Sequence, residues 1–230
     1  MTANQEARRG NLGLLTGSLF VVLWFAGTIV QGSSGAGFPR PTDEMAKVGD
    51  IMRAGASTME TTGGLFILSA VALLCFTAIL TARLRRDSRP GWLPELALAG
   101  GITSAVALLA GAAATVATGS TDLATDDATA TLLYQLSFWL GGPIHIAGFG
   151  MLILAAASGL ALPKWLRVPG LVIGAAGALA ALSPLASQLV LFTPIGRFLG
   201  FIWLIVATAV VAFRRRTPAP ASVSKETAEV

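Results

Sequence analysis

The chain has 230 residues, of which 54% are hydrophobic and 12% charged, with a mean hydropathy of +0.72 and a net charge of +4. Soluble domains carry about 25% charged residues, so this composition excludes a globule covered by water. The pI near 10 does not point to nucleic acid, because Lys and Arg sit at the ends of apolar segments rather than in one patch or stripe.

Six apolar stretches follow in order, at about Leu12–Val30, Gly63–Ala82, Leu96–Thr118, Leu132–Leu160, Pro169–Leu189 and Ile195–Phe213. A hydrocarbon core of about 30 Å takes about 20 helical residues at about 1.5 Å each, and all six are near or above that length. They predict an all-α polytopic bundle of six transmembrane helices spanning 12–213. The first stretch, behind Arg8 and Arg9, runs 19 residues against about 7–15 for a signal-peptide core, so a retained helix is expected.

The connection 31–62 is the longest. It opens on GlySerSerGlyAlaGly and then ProArgProThrAspGluMet, where Thr42 or Asp43 is placed to cap a short helix. Met45, Val48, Ile51 and Met52 share one face of that helix. An amphipathic helix is therefore expected in the first external loop, lying on the membrane surface or over the bundle, with a mobile gate as the sharper alternative. The second stretch contains Cys75, the single cysteine, which leaves no intrachain disulfide and no zinc spacing. Glu95, just after Pro94, suits the positive end of the third helix.

The fourth stretch departs from a plain span. From Thr131 to Leu162 it would measure about 48 Å as one helix. Its middle reads Gly141, Gly142, Pro143, and Pro143 cannot bond the carbonyl of Trp139, so a kink is expected there. Gly13/Gly17, Gly170/Gly174 and Gly196/Gly200 have the spacing that lets helix backbones approach closely. The segment 214–230 has too little apolar surface to fold and is expected to be a disordered tail.

Charge sets the expected orientation. Twelve Lys and Arg residues fall in the amino tail (1–11), the second and fourth gaps and the carboxyl tail: Arg8, Arg9, Arg83, Arg85, Arg86, Arg89, Lys164, Arg167, Arg214, Arg215, Arg216 and Lys225. Only Arg40, Lys47, Arg53 and Arg197 fall on the other side, which also carries seven acids, among them Asp43, Asp122 and Asp127. Loops rich in Lys and Arg stay cytoplasmic, so both termini are expected inside. The partner implied is the lipid bilayer, and the location a bacterial plasma (inner) membrane.

Chemistry-bearing residues are few. His145 is the single histidine and the ionisable group nearest the middle of a span, a functional candidate by default. Three roles stay open for it: bonding a carbonyl freed by Pro143, a proton relay or substrate contact, or metal ligation. With no second ligand at the right spacing, neither a metal nor a cofactor is expected. Glu60, Tyr134, Gln135, Gln188 and Arg197 all fall toward the external ends of their spans, so a polar vestibule above His145 is the candidate site. Interfacial anchoring and helix-to-helix hydrogen bonds are the plainer alternative. The sequence has no nucleophile elbow, HisGluXaaXaaHis run, Walker loop or paired acids within a span.

Several segments together resemble the small multi-pass membrane proteins of unknown function common in high-GC actinobacteria. These are the ArgArg amino end, the Pro-rich start of the first external segment, ThrAlaArgLeuArgArg closing the second span, LeuProLysTrpLeuArgValProGlyLeuValIleGly, and PheIleTrpLeuIleValAla leading to ArgArgArg. The resemblance implies a six-helix inner-membrane fold and transfers no catalytic residue. The expected function is a non-enzymatic or accessory cell-envelope component. A small transporter or channel around His145 is the alternative, and a membrane enzyme acting on a lipid or isoprenoid the third reading.

Overall fold

The structure is a computed structural model that describes residues 13–40, 43–87, 90–119 and 126–213. The expected tails 1–11 and 214–230, and the expected cap Thr42, lie outside the described residues. Among the described residues six helices are long and apolar enough to cross a membrane: α1 (Thr16–Ser33), α2 (Met45–Arg86), α3 (Trp92–Gly119), α4 (Asp127–Gly159), α5 (Lys164–Leu182) and α6 (Gln188–Phe213). Among the described residues there is no strand. Each helix packs on the next in chain order, and α6 returns to α1, closing a ring around the main core.

Four phenylalanines mark that core, Phe20, Phe76, Phe149 and Phe201, each fully buried from a different helix. The rings of Phe20, Phe149 and Phe201 lie 5.2–5.6 Å apart in tilted and edge-on pairs, the geometry favoured by aromatic quadrupoles. Leu73, Leu80, Leu84, Leu152 and Ile153 fill the space toward the Arg83 end. The outward faces are also apolar: Leu19, Val22, Leu68, Val71, Val106, Val172 and Ile202 are all exposed. A belt of this kind on every side suits a hydrocarbon surround and not water.

Without a hydrophobic drive between helices in lipid, association rests on close packing and on hydrogen bonds between helices. Ser69 Oγ donates to the Phe20 carbonyl at 2.8 Å, and Trp203 Nε1 donates to the Leu166 carbonyl at 2.7 Å. Ser18 and Thr208 share a hydroxyl–hydroxyl bond of 2.9 Å.

Three expectations of extent change. The amphipathic helix is not a separate element of the loop 31–62, because it runs without a break into the second span as the 42-residue α2. No proline interrupts Met45–Arg86, so the backbone ladder has no reason to stop. Its face is covered by protein: Val48, Met52 and Met59 pack with Ala130 and Tyr134 of α4 as a small second core, while Met45 is exposed and Ile51 half-buried. Arg53 ties the same two helices, reaching Asp50 and Asp127 at 2.8 Å each.

The fifth helix starts earlier and ends earlier than the apolar stretch, at Lys164–Leu182. Gln188 consequently opens α6 and does not close α5. The fourth helix breaks into Asp127–Trp139 and His145–Gly159, joined by a wide turn over Leu140–Ile144. Asp126 caps its start, accepting from the amides of Ala128 and Thr129.

Candidate functional site

The break in α4 begins with Pro143, which has no amide hydrogen to offer the carbonyl one turn earlier. Gly142 leaves the helical region at φ −101°, ψ −108°. Beyond it, the His145 amide bonds the carbonyls of Leu140 and Gly142 and passes over that of Gly141. A carbonyl left out of the ladder and held away from water needs another donor. Arg197 supplies it, donating from Nη2 to the Gly141 oxygen at 2.5 Å.

Arg197 sits in a second wide turn, Ile195–Leu199 of α6. Its guanidinium carbon lies 5.1 Å from the centre of the Trp24 ring on α1, within range of a cation–π attraction. Trp24 is itself stacked on Phe66 of α2 at 5.9 Å. No carboxylate pairs with Arg197 among the described residues, and its Nε is enclosed with no hydrogen-bond partner there. Thr193, one turn earlier on α6 and 7% exposed, likewise has an enclosed hydroxyl without a partner.

These groups border a cavity of about 400 Å³ at the Asp43 end of the bundle. Trp24, Phe66, Tyr134 and Phe138 make apolar walls, and Thr115, Ser137, Thr193 and Arg197 add polar groups. Phe38, Pro39 and Arg40 form a rim from the α1–α2 connection. Gly35 and Gly37 have φ of 70° and 81°, values that turn the chain back over the opening and that side chains other than glycine's disfavour. The Tyr134 hydroxyl pins this rim by donating to the Pro39 carbonyl at 2.8 Å. Its first turn into α2 is held by Asp43, whose carboxyl is kept below the ordinary carboxylate range by a hydrogen bond from Lys47 and by the Arg40 amide. A second, largely apolar hollow of about 510 Å³ lies behind the break, against Trp139, Pro143, Ile144 and Ala180.

The residues expected to share one vestibule divide. Tyr134 and Arg197 line the cavity, and so do Gly141 and Gly142 of the break. Gln135, half-buried beside Tyr134, is not on its wall. Glu60 is exposed on α2 beside Gly119, and Gln188 is exposed at the start of α6.

His145 lies one turn beyond Gly141, fully buried, with its ring stacked on Phe149 at 6.0 Å and edge-on to Phe20 at 6.0 Å. It does not bond a carbonyl freed by Pro143. Its Nδ1 meets Ser104 of α3 instead, 3.0 Å from the carbonyl and 2.8 Å from Oγ. A carbonyl only accepts, so Nδ1 carries the proton and Nε2 holds the lone pair. Nε2 is enclosed without a partner among the described residues. There is also no group of three or more metal-ligating side chains among them.

Sequence reasoning missed Trp24, Phe66, Phe138 and Thr193. Thr193 had a usable signal, since it stands one helical turn from Arg197. The aromatic residues had none, being indistinguishable in sequence from lipid-facing or core positions. The chain matches no protein-family model, no curated protein and no solved structure with which it was compared.

Proposed function

We propose that this chain is an integral membrane protein that binds a small molecule with an apolar body in the cavity beside the α4 break. It acts as a non-enzymatic, small-molecule-handling component of the cell envelope. The observation that carries the reading is the cavity itself. Its volume of about 400 Å³ lies within the ~300–1,000 Å³ of small-molecule sites, and aromatic walls with a few convergent polar groups are the usual lining of such sites.

Two further features support binding over conduction. Toward the Arg83 end, Phe76, Leu80, Leu84, Leu152 and Ile153 are fully buried and tightly packed, and His145 stands behind the cavity wall. The charge distribution favours a bacterial inner membrane with both termini cytoplasmic. On that orientation the cavity opens on the external side, under the rim formed by Phe38, Pro39 and Arg40.

The binding test uses ω-bromodecanol, a neutral apolar probe whose bromine quenches tryptophan on contact, with the protein in phosphatidylcholine nanodiscs. A Cβ on Gly141 meets nothing within 4 Å, so Gly141→Phe fills the cavity with little backbone disturbance. Wild type should show a saturable component of quenching that Gly141→Phe lacks. Linear, unsaturable quenching in both sinks the binding reading. Orientation is tested separately in a Cys75→Ser background: cysteines at Glu44 and Asp126 should label from outside, and those at Asp87 and Lys164 only from inside. The reverse pattern overturns the topology.

A further inference from the structure

We infer that the cavity selects an anionic ligand, a single-chain amphiphile whose carboxylate or phosphate head is held by Arg197 and Thr193. The inference rests on the binding reading above and adds the chemistry of the head. Arg197 borders the cavity within an apolar stretch of α6 and has no acid beside it among the described residues. Among the described residues its positive charge is met only by the Gly141 carbonyl and the face of Trp24. A charge held this way inside a bundle is costly unless a counter-charge is supplied.

Among the described residues the lining contains no carboxylate to supply it. The two charged side chains that reach the cavity among the described residues, Arg40 at the rim and Arg197 within, are both positive. A cationic ligand is therefore repelled, and a neutral one leaves Arg197 uncompensated. Two donor residues also border the same part of the cavity. Thr193 and Arg197 stand one helical turn apart on α6, and Thr193 Cγ2 and Arg197 Nη2 each lie 4.0 Å from where a Cβ on Gly142 would be. Both have polar atoms that find no acceptor among the described residues. A guanidinium on the cavity wall suits an oxyanion, which accepts from it, and the Thr193 hydroxyl one turn away can join by rotation about χ1. The walls of Trp24, Phe66 and Phe138 then take the apolar chain, whose length the cavity limits.

The test compares ω-bromodecanoate with ω-bromodecanol on the same nanodiscs at mildly alkaline pH, where the acid is ionised. Wild type should bind the acid about tenfold or more tightly than the alcohol, as expected for a charge-assisted hydrogen bond in place of a neutral one. Arg197→Gln should abolish the preference while still binding the alcohol, Arg197→Lys should keep part of it, and Thr193→Val should reduce it about threefold. Equal affinity of wild type for acid and alcohol overturns the anion inference and leaves the binding reading standing. Full preference in Arg197→Gln overturns it too. Saturable binding of neither probe removes the binding reading itself. Arg197→Lys guards against misfolding of the glutamine variant, since a lysine that restores preference shows that charge is what was lost. Adding phosphatidylglycerol to the nanodiscs tests the single-chain limit: no competition with the acid supports it, and competition overturns it by making a two-chain anionic lipid of the bilayer the occupant.

Discussion

Alanine at Gly148 should destabilise the bundle by about 2–4 kcal/mol, whereas alanine at Gly64, the same chemical change, should stabilise it slightly. A Cβ on Gly148 would lie 2.6 Å from the Ser104 amide nitrogen and 2.7 Å from the Gly100 carbonyl oxygen. Both are backbone atoms of α3 and cannot swing aside as a side chain can. The helices must separate by about 0.5–1 Å to reach ordinary contact, which forfeits a quarter to a half of the dispersion energy across the crossing. Overpacking of this kind costs about 1–3 kcal/mol. The same separation loosens the Nδ1 contacts of His145 with Ser104, for about 1 kcal/mol more. At Gly64 a Cβ meets nothing within 4 Å, so only the helix preference for alanine remains, worth about 0.5–1 kcal/mol. SDS-driven unfolding in mixed micelles, followed by tryptophan fluorescence, measures both. If the two variants shift in the same direction, or Gly148→Ala matches wild type, close backbone approach at this crossing is not what holds α3 to α4.

Two further outcomes follow from the same contacts. In the same unfolding assay Ser104→Ala should cost only about 0.5–1.5 kcal/mol, because the carbonyl at 3.0 Å still receives Nδ1–H. His145→Ala, which empties a fully buried site between Phe20 and Phe149, should cost about 2–5 kcal/mol; a reversed order would contradict the tautomer and packing assigned to His145. At the rim, the carboxyl of Asp43 titrates below its ordinary value of 3.8, first through its bond from Lys47 and then through the Arg40 amide. A depressed carboxyl pKa stabilises the folded turn above the unfolded value and loses that contribution as pH falls through the folded one. Amide protection factors over Asp43–Lys47, which remove the intrinsic pH dependence of exchange, should therefore fall below about pH 4 in wild type and stay nearly constant there in Asp43→Asn.

Composition and segment length make six spans legible, because a bilayer demands long apolar helices and little else in this chain competes with that demand. The run of two glycines and a proline marks where α4 breaks for a similarly local reason. Continuity was harder to read. Met45–Arg86 looks like two elements because polarity changes near Thr62, but polarity does not stop a helix; proline or a cap does, and neither intervenes. Partners across helices were not legible at all. His145 and Ser104 are separated by 41 residues, and Arg197 and Gly141 by 56. Which faces meet depends on small rotations about each helix axis, and in a uniformly apolar chain no hydrophobic stripe encodes them.

The break in α4 connects the packing with the cavity. On its far side, Gly148 meets Gly100 and Ser104, and Gly150 meets Gly174 and Gly177, so backbones touch and the interior is solid. On its near side, toward the Asp43 end, the glycines at 141 and 142 face open space, with nothing nearer than 4.0 Å to a Cβ at either. α3 stays close even at the break, where a Cβ on Gly111 would lie 2.8 Å from the Gly141 nitrogen, so the gap that Arg197 borders opens between the break and α1 and α6. The wide turn also takes the Gly141 carbonyl out of the backbone ladder and thereby gives Arg197 one fixed acceptor. One bond anchors the guanidinium, and the rest of its charge is left for whatever enters the cavity. The same backbone defect therefore opens the space and orients the cation in it.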